Sequence, residues 1–427
     1  MKQKSSLIYL ILFFVINLYS SQKMNNEEYD KFMLGRSFFT IPWVEAPSAT
    51  TARDGLGPLF NANTCIGCHP NLGRGTLYTT SNNASKSLIP KLSIKSNNTN
   101  LHKDILAREG SIAHPTYGGQ IAISSINDVP YEAKVNIDFE KIKLLFDESE
   151  HFIYKPNYSL INLNYGELNK NTNITYRLAP TLYGMGLLSQ IDEKSILENI
   201  DENDLNNDGI SGKANYVYSK ITQQKELGRF TYKASVAFLK EQVANAAFND
   251  MGLSTSIHQG ENCTSFQKEC NDAPKSKDVL DITEERLDAI TFYLENLPSY
   301  DPTKGKLYEK GIAVFSKATC TSCHIPSLKN KSGEEIYTFS DLLLHDMGEG
   351  LSDGRSEFMA LESEFRTAPL WGFKTEKKEY RLLHDGRAKT FEEAILWHGG
   401  EANNAKKNYI ALNKKDKKLL LEFLKGL

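Results

Sequence analysis

The chain has 427 residues, 40% of them hydrophobic and 24% charged, a balance that allows two or three domains with real cores and excludes a low-complexity or disordered chain. Its formal net charge of −3 gives no argument for nucleic acid or an anionic membrane surface as partner. Small redox proteins remain open as partners.

In chain order, Lys2 and Lys4 precede an apolar run from Leu7 to Leu18, and polar residues begin at Ser20 and Ser21. This is the three-part layout of a secretory signal over residues 1–21. The run is too short for a stable membrane span, which needs about 20 apolar residues, and no cysteine follows it to carry a lipid. The mature chain is therefore expected in the periplasm.

Residues 25–40 read as an amphipathic helix. A Gly/Pro-rich stretch, Asp54-Gly55-Leu56-Gly57-Pro58-Leu59-Phe60-Asn61, then runs into Cys65-Ile66-Gly67-Cys68-His69, and the same chemistry recurs at Cys320-Thr321-Ser322-Cys323-His324. Each is a C-x-x-C-H segment, the attachment signature of c-type haem. Two thiols at this spacing can form thioethers to the two vinyl groups of one porphyrin, and the following imidazole can bind the iron from the proximal side. A lone copy competes with a redox-active dithiol or half a zinc site. Two full copies in an exported chain point to two covalent haems.

Residues from about 72 to 200 change character, with alternating stretches such as Val135–Phe139 and Phe152–Tyr165 suggesting short strands and long loops. Asp204, Asn206 and Asp208 put oxygen ligands at alternate positions before Gly209, the opening of a calcium loop. Asn215 stands where such a loop has its bidentate Glu, so an Asx-rich surface turn is the equal alternative. Helical periodicity follows at Ala234–Phe248 and Thr283–Leu297. Between them, Cys263 and Cys270 are the cysteines left over from the haem motifs, and in an oxidising compartment they read as a local disulfide. Pro298 and Pro302 mark a boundary, and a basic amphipathic helix, Lys414–Leu427, closes the chain.

Beyond the haem motifs, Asp54–Asn61, Gly228-Arg229-Phe230, Asn249-Asp250-Met251-Gly252, His345-Asp346-Met347-Gly348, Arg366-Thr367-Ala368-Pro369-Leu370-Trp371-Gly372, and His384-Asp385-Gly386-Arg387 through to His398-Gly399-Gly400-Glu401 resemble one family. This is the bacterial di-haem oxidoreductase family often labelled thiol oxidoreductase-like, related to di-haem cytochrome c peroxidases and to the di-haem enzyme that matures a tryptophan-derived quinone. The resemblance implies a mainly α fold of two cytochrome c-like haem domains, 22–300 and 301–427, with a β-rich insertion in the first.

It also implies roles. The C-terminal haem transfers electrons, and its distal ligand falls on His398, with Met347, Met359 and His345 as rivals. The N-terminal haem reacts with hydrogen peroxide or another small oxidant. There the family's distal amide, carboxylate and bridging aromatic fall on Gln242, Asp250 and Tyr232, with Tyr replacing Trp and Asp replacing Glu. His102, His114 or Met185 could instead cap the His69 iron. The implied activity is peroxidase-like, fed by a small redox protein. The alternatives are a non-catalytic di-haem electron carrier and an enzyme that oxidises another protein.

Overall fold

The computed structural model describes residues 24–50, 52–78, 84–146, 149–297, 307–373 and 380–427. The expected leader, 1–21, and the division at 300/301 lie outside them. The helices that position the sites are α1 (Asn26–Thr40), α2 (Cys65–Cys68), α3 (Leu239–Met251), α4 (Glu284–Glu295), α5 (Tyr308–Lys317), α6 (Phe391–Trp397), α7 (Asn403–Ala411) and α8 (Lys414–Gly426). The long strands are β1 (Leu88–Ile94), β2 (Lys134–Phe146), β3 (Ser149–Ile161) and β4 (Thr172–Leu178).

The expectation of a mainly α fold is overturned. Helix accounts for 31% of the protein and strand for 20%, dispersed over small sheets. The cause lies in the alternating residues between 88 and 178, which pair antiparallel in register: β1 with β4 from Leu88↔Leu178 to Ile94↔Thr172, and β2 with β3 from Lys134↔Ile161 onward. Nor are these strands an insertion confined to the first half. Ile142, Leu144 and Ile153 of the β2–β3 hairpin pack with Phe391, Leu396 and Trp397 in the C-terminal core, so the framework is shared.

The N-terminal core forms where α1 lies along α4. A capping box at Asn25 and Glu28 starts α1 and satisfies two of its free N–H groups. Phe32 and Phe39 then pack on Tyr293 with their rings tilted 58° and 51° to its ring. Gly35 permits the approach, since a Cβ there would strike the Ala289 carbonyl of α4. Leu239, Val243, Ala247 and Met251 bring α3 into the same core. The C-terminal core is an aromatic cluster of Phe315, Phe339 and Phe423, with ring centroids 5.7–6.0 Å apart. It sets α8 against α5.

The strand pair β1–β4 has two unlike faces, as alternation requires. Leu88, Leu92, Tyr176 and Leu178 fill apolar clusters on one side. On the other, Asn173, Thr175 and Arg177 all reach the 353–354 segment of the C-terminal half: Asn173 donates to the Gly354 carbonyl, and Thr175 and Arg177 to Asp353.

Candidate haem sites

At the first motif, Thr64 caps the single turn of α2 by accepting from Gly67 N at 3.0 Å. The turn projects Cys65 and Cys68 together, with Cys68 buried. His69 follows, and its Nδ1 lies 2.8 Å from the Pro180 carbonyl. A carbonyl only accepts, so Nδ1 carries the proton and the Nε2 lone pair is left for a metal. Burial lowers the His69 pKa to about 4, which keeps the ring neutral as ligation demands. The residues present therefore fit a haem.

The second motif repeats this. His324 Nδ1 donates to the Phe339 carbonyl at 2.7 Å, and burial lowers its pKa to about 4. His398, just past the end of α6, donates from Nδ1 to the Ala394 carbonyl at 2.7 Å. The structure brings His398 close enough to His324 for its charge to act there. Arg387 steadies this corner, since its guanidinium is bound by Asp385 at 2.8 Å and lies 4.6 Å over the ring of Trp397, the residue before His398.

The rivals sit differently. Both His345 nitrogens are taken, by Asp341 and Glu401 at 2.8 Å each. Burial alone would lower its pKa, but bonds to Asp341, Cys323 and Glu401 push it up to about 12. Met347 packs half-buried against the C-terminal core beside Gly399, while Met359 is 42% exposed.

Asp250, at the end of α3, is brought to the first motif by a backbone clasp. Gly57 N donates to the Met251 carbonyl, and Asn61 N and Ala62 N to the Asp250 carbonyl at 2.8 and 3.2 Å. Gly57 and Gly252 touch, so a Cβ on either would strike the other's Cα. The charge of Asp250 reaches both Cys65 and Cys68. Burial raises its own pKa, opposed by a hydrogen bond from Gln120 and by the Lys91 charge.

Gln242 lies two turns earlier on α3, about 12 Å along the axis at 1.5 Å per residue, and is not the amide joined to Asp250. That amide is Gln120, whose Nε2 donates to Asp250 Oδ1 at 2.7 Å and to the Asn249 carbonyl at 3.0 Å. Its signal in the sequence was the stretch His114-Pro115-Thr116-Tyr117-Gly118-Gly119-Gln120, notable there for its histidine. His114 Nδ1 itself accepts from Thr116 N and Tyr117 N, which places the ring proton on Nε2 and leaves no lone pair for iron. His102 Nδ1 accepts from Asn97 N on a surface helix, and Met185 packs half-buried on the N-terminal core.

Tyr232 joins segments that follow the two motifs. Its hydroxyl donates to the Leu178 carbonyl at 2.8 Å and accepts from Arg74 Nη2 at 3.2 Å, while its carbonyl accepts from Arg366 N at 2.8 Å. Arg74, five residues after His69, also binds the Arg381 and Leu383 carbonyls. Burial raises the Tyr232 pKa despite the neighbouring guanidiniums, so the phenol stays neutral. Behind it lies a buried ion cluster: Arg177 meets Asp353 at 2.6 Å and Glu357 at 3.4 Å, Lys233 meets Asp353 at 3.5 Å, and Arg355 meets Glu357 at 2.9 Å.

The Asp204, Asn206 and Asp208 side chains accept N–H bonds from Asp208, Gly209 and Ile210 of their own loop. Asn215 does not complete a ligand ring there. It is buried, donating to the Lys233 and Glu357 carbonyls and accepting from Met359 N. Cys263 and Cys270 form a disulfide with Cα atoms 5.8 Å apart. Among the described residues no helix is long and apolar enough to cross a membrane.

A family model described as "Di-haem oxidoreductase, putative peroxidase" matches residues 154–427, which include the second C-x-x-C-H motif, Tyr232, Asp250 and His398. No curated protein and no solved structure matches the chain.

Proposed function

The chain belongs to the di-haem oxidoreductase family, and from that premise we propose that it is a periplasmic enzyme of peroxidase type, with haem bound covalently at Cys65, Cys68 and His69 and at Cys320, Cys323 and His324. The observation that carries the reading is the half-buried Asp250 carboxyl, fixed by Gln120 and close to both cysteines of the first motif.

Haem supplies one-electron redox chemistry and an iron that can bind a peroxide oxygen. The protein supplies the proton handling. Gln120 holds Asp250 Oδ1, which leaves Oδ2 to take the first proton of hydrogen peroxide and return it to the leaving oxygen. Burial raises the Asp250 pKa and so moves the base toward the pH at which it works. Tyr232, held by hydrogen bonds to Leu178, Arg74 and Arg366, would serve as the aromatic between the two centres. Electrons from a small redox protein enter on the His324 side, where His398 offers a second nitrogen and closes that centre to peroxide.

The test is electron paramagnetic resonance of the purified holoprotein, fully oxidised and half-reduced, before and after hydrogen peroxide. A high-spin ferric signal lost on adding peroxide is expected. Two low-spin signals that persist through half-reduction and ignore peroxide would overturn the reading and leave a di-haem electron carrier.

A further inference from the structure

Lys91 is the cation that neither the haem motifs nor the ion cluster accounts for. It lies in the middle of β1, directly across from Thr175 and two residues from Ile89, the partner of Arg177. Residues opposed in an antiparallel pair share a face, so Lys91 points the way Thr175 and Arg177 point. On the other edge of β1 it pairs with Gln120 through an antiparallel bridge, framed by Leu92 N to the Gly119 carbonyl and Ile121 N to the Pro90 carbonyl. Gln120 therefore lies on the same face, and it is the residue that holds Asp250.

Even with Asp250 counted, four cations, Lys91, Arg177, Lys233 and Arg355, face three carboxylates here. Arg177, Lys233 and Arg355 already meet the two carboxylates, Asp353 and Glu357, at 2.6–3.5 Å. Lys91 is a fourth cation beside the cluster, and among the described residues its Nζ has no acceptor within bonding range. Lys233, by contrast, donates to the carbonyls of Leu361, Glu362 and Glu364. A half-buried ammonium in surplus costs free energy unless an anion meets it.

We propose that Lys91, between Gln120 and Asp250 on one side and the Asp353–Glu357 cluster on the other, is the seat of an anion at the His69 centre. The inference rests on the assignment of that face to the first haem. One chemistry covers two sources: a small anionic ligand on the distal side, or a carboxylate of the haem itself.

Two titrations of the ferric holoprotein decide it, on the wild type, Lys91→Met and Lys91→Arg, with visible spectra confirming full haem loading. Azide is the anionic probe and imidazole the neutral reference. For a ligand seat, Lys91→Met weakens azide by about tenfold, in line with the loss of one nearby charge at an effective dielectric near 20, leaves imidazole unchanged, and Lys91→Arg retains the affinity. For a haem carboxylate, azide is unchanged, but the pH at which the reduction potential of that haem bends moves upward in Lys91→Met. If Lys91→Met changes neither the azide affinity nor the pH dependence of the potential, the proposal is overturned. Should the wild type bind neither azide nor imidazole, the open-haem reading fails, while the potential still reads Lys91.

Discussion

Gln120 and Asp250, 130 residues apart in sequence, are joined by a 2.7 Å hydrogen bond from amide to carboxyl. The bond lowers a carboxyl pKa that burial has raised, so the two effects set the base against each other. Asp250→Asn removes the proton acceptor and is expected to cut peroxide turnover by about 10²-fold or more, the range for loss of a general base. Gln120→Leu keeps the base but frees its pKa to rise. The acid limb of the rate profile should move to higher pH, because the deprotonated base then appears later. A profile that loses height without moving would assign Gln120 to packing alone.

His398→Ala should leave the second centre with one nitrogen ligand and convert its low-spin signal to high-spin, with slower reduction by an electron donor. His345→Asn serves as the control. Both of its nitrogens are bound to carboxylates, so its loss should cost stability and leave the low-spin signal in place. The opposite pattern would move the ligand to residue 345.

Tyr232→Phe keeps the ring but removes the hydroxyl bonds to Leu178 and Arg74. It should destabilise the protein by about 1–3 kcal/mol through the unpaired Arg74 and Leu178 groups, with little effect on electron passage between the haems. Tyr232→Ala should slow that passage as well. Stopped-flow reduction separates the two, and equal rates in both variants would remove the ring from the path.

Acid stability should follow Glu357. Burial alone would raise its pKa, but Arg177, Arg355 and the neighbouring lysines hold it far below the usual glutamate range. A depressed pKa contributes stability that is complete above the ordinary value of 4.5 and is lost as the pH falls below it. Glu357→Gln should lower stability at pH 7 by about 3–5 kcal/mol, since it strips a partner from buried cations, and should flatten the loss below pH 4.5. Thermal melts across pH 3–7 check both.

The sequence carried the chemistry that is local in the chain. The C-x-x-C-H spacing, the clipped cysteine pair and the amphipathic helices depend on residues within a turn or two of one another. The fold class departs from the expectation because, of the strands between 88 and 178, only β2 and β3 pair locally, while β1 pairs with β4 about 80–90 residues away and both pairs lean on the far half, a docking no periodicity encodes. Gln120 and Arg74 were missed for the same reason. An amide or a guanidinium has meaning at a site only through partners that lie 130 or 307 positions away. Gly57 and Gly252 stand in motifs visible in the sequence, but only their mutual contact explains why each needs a residue without a side chain.

Of the four motif cysteines Cys68 is buried and Cys65, Cys320 and Cys323 are half-buried. Cys65 and Cys320 are held with thiol pKa values pushed up to about 12, and Cys68 further. A thiol reacts as its thiolate, and in the closed chain that form is suppressed. If haem is attached at these cysteines as proposed, the thiolate it needs is more available in the open polypeptide, before β1 meets β4 and Arg74 reaches the Leu383 carbonyl. The folded state would then be a product of maturation rather than its template.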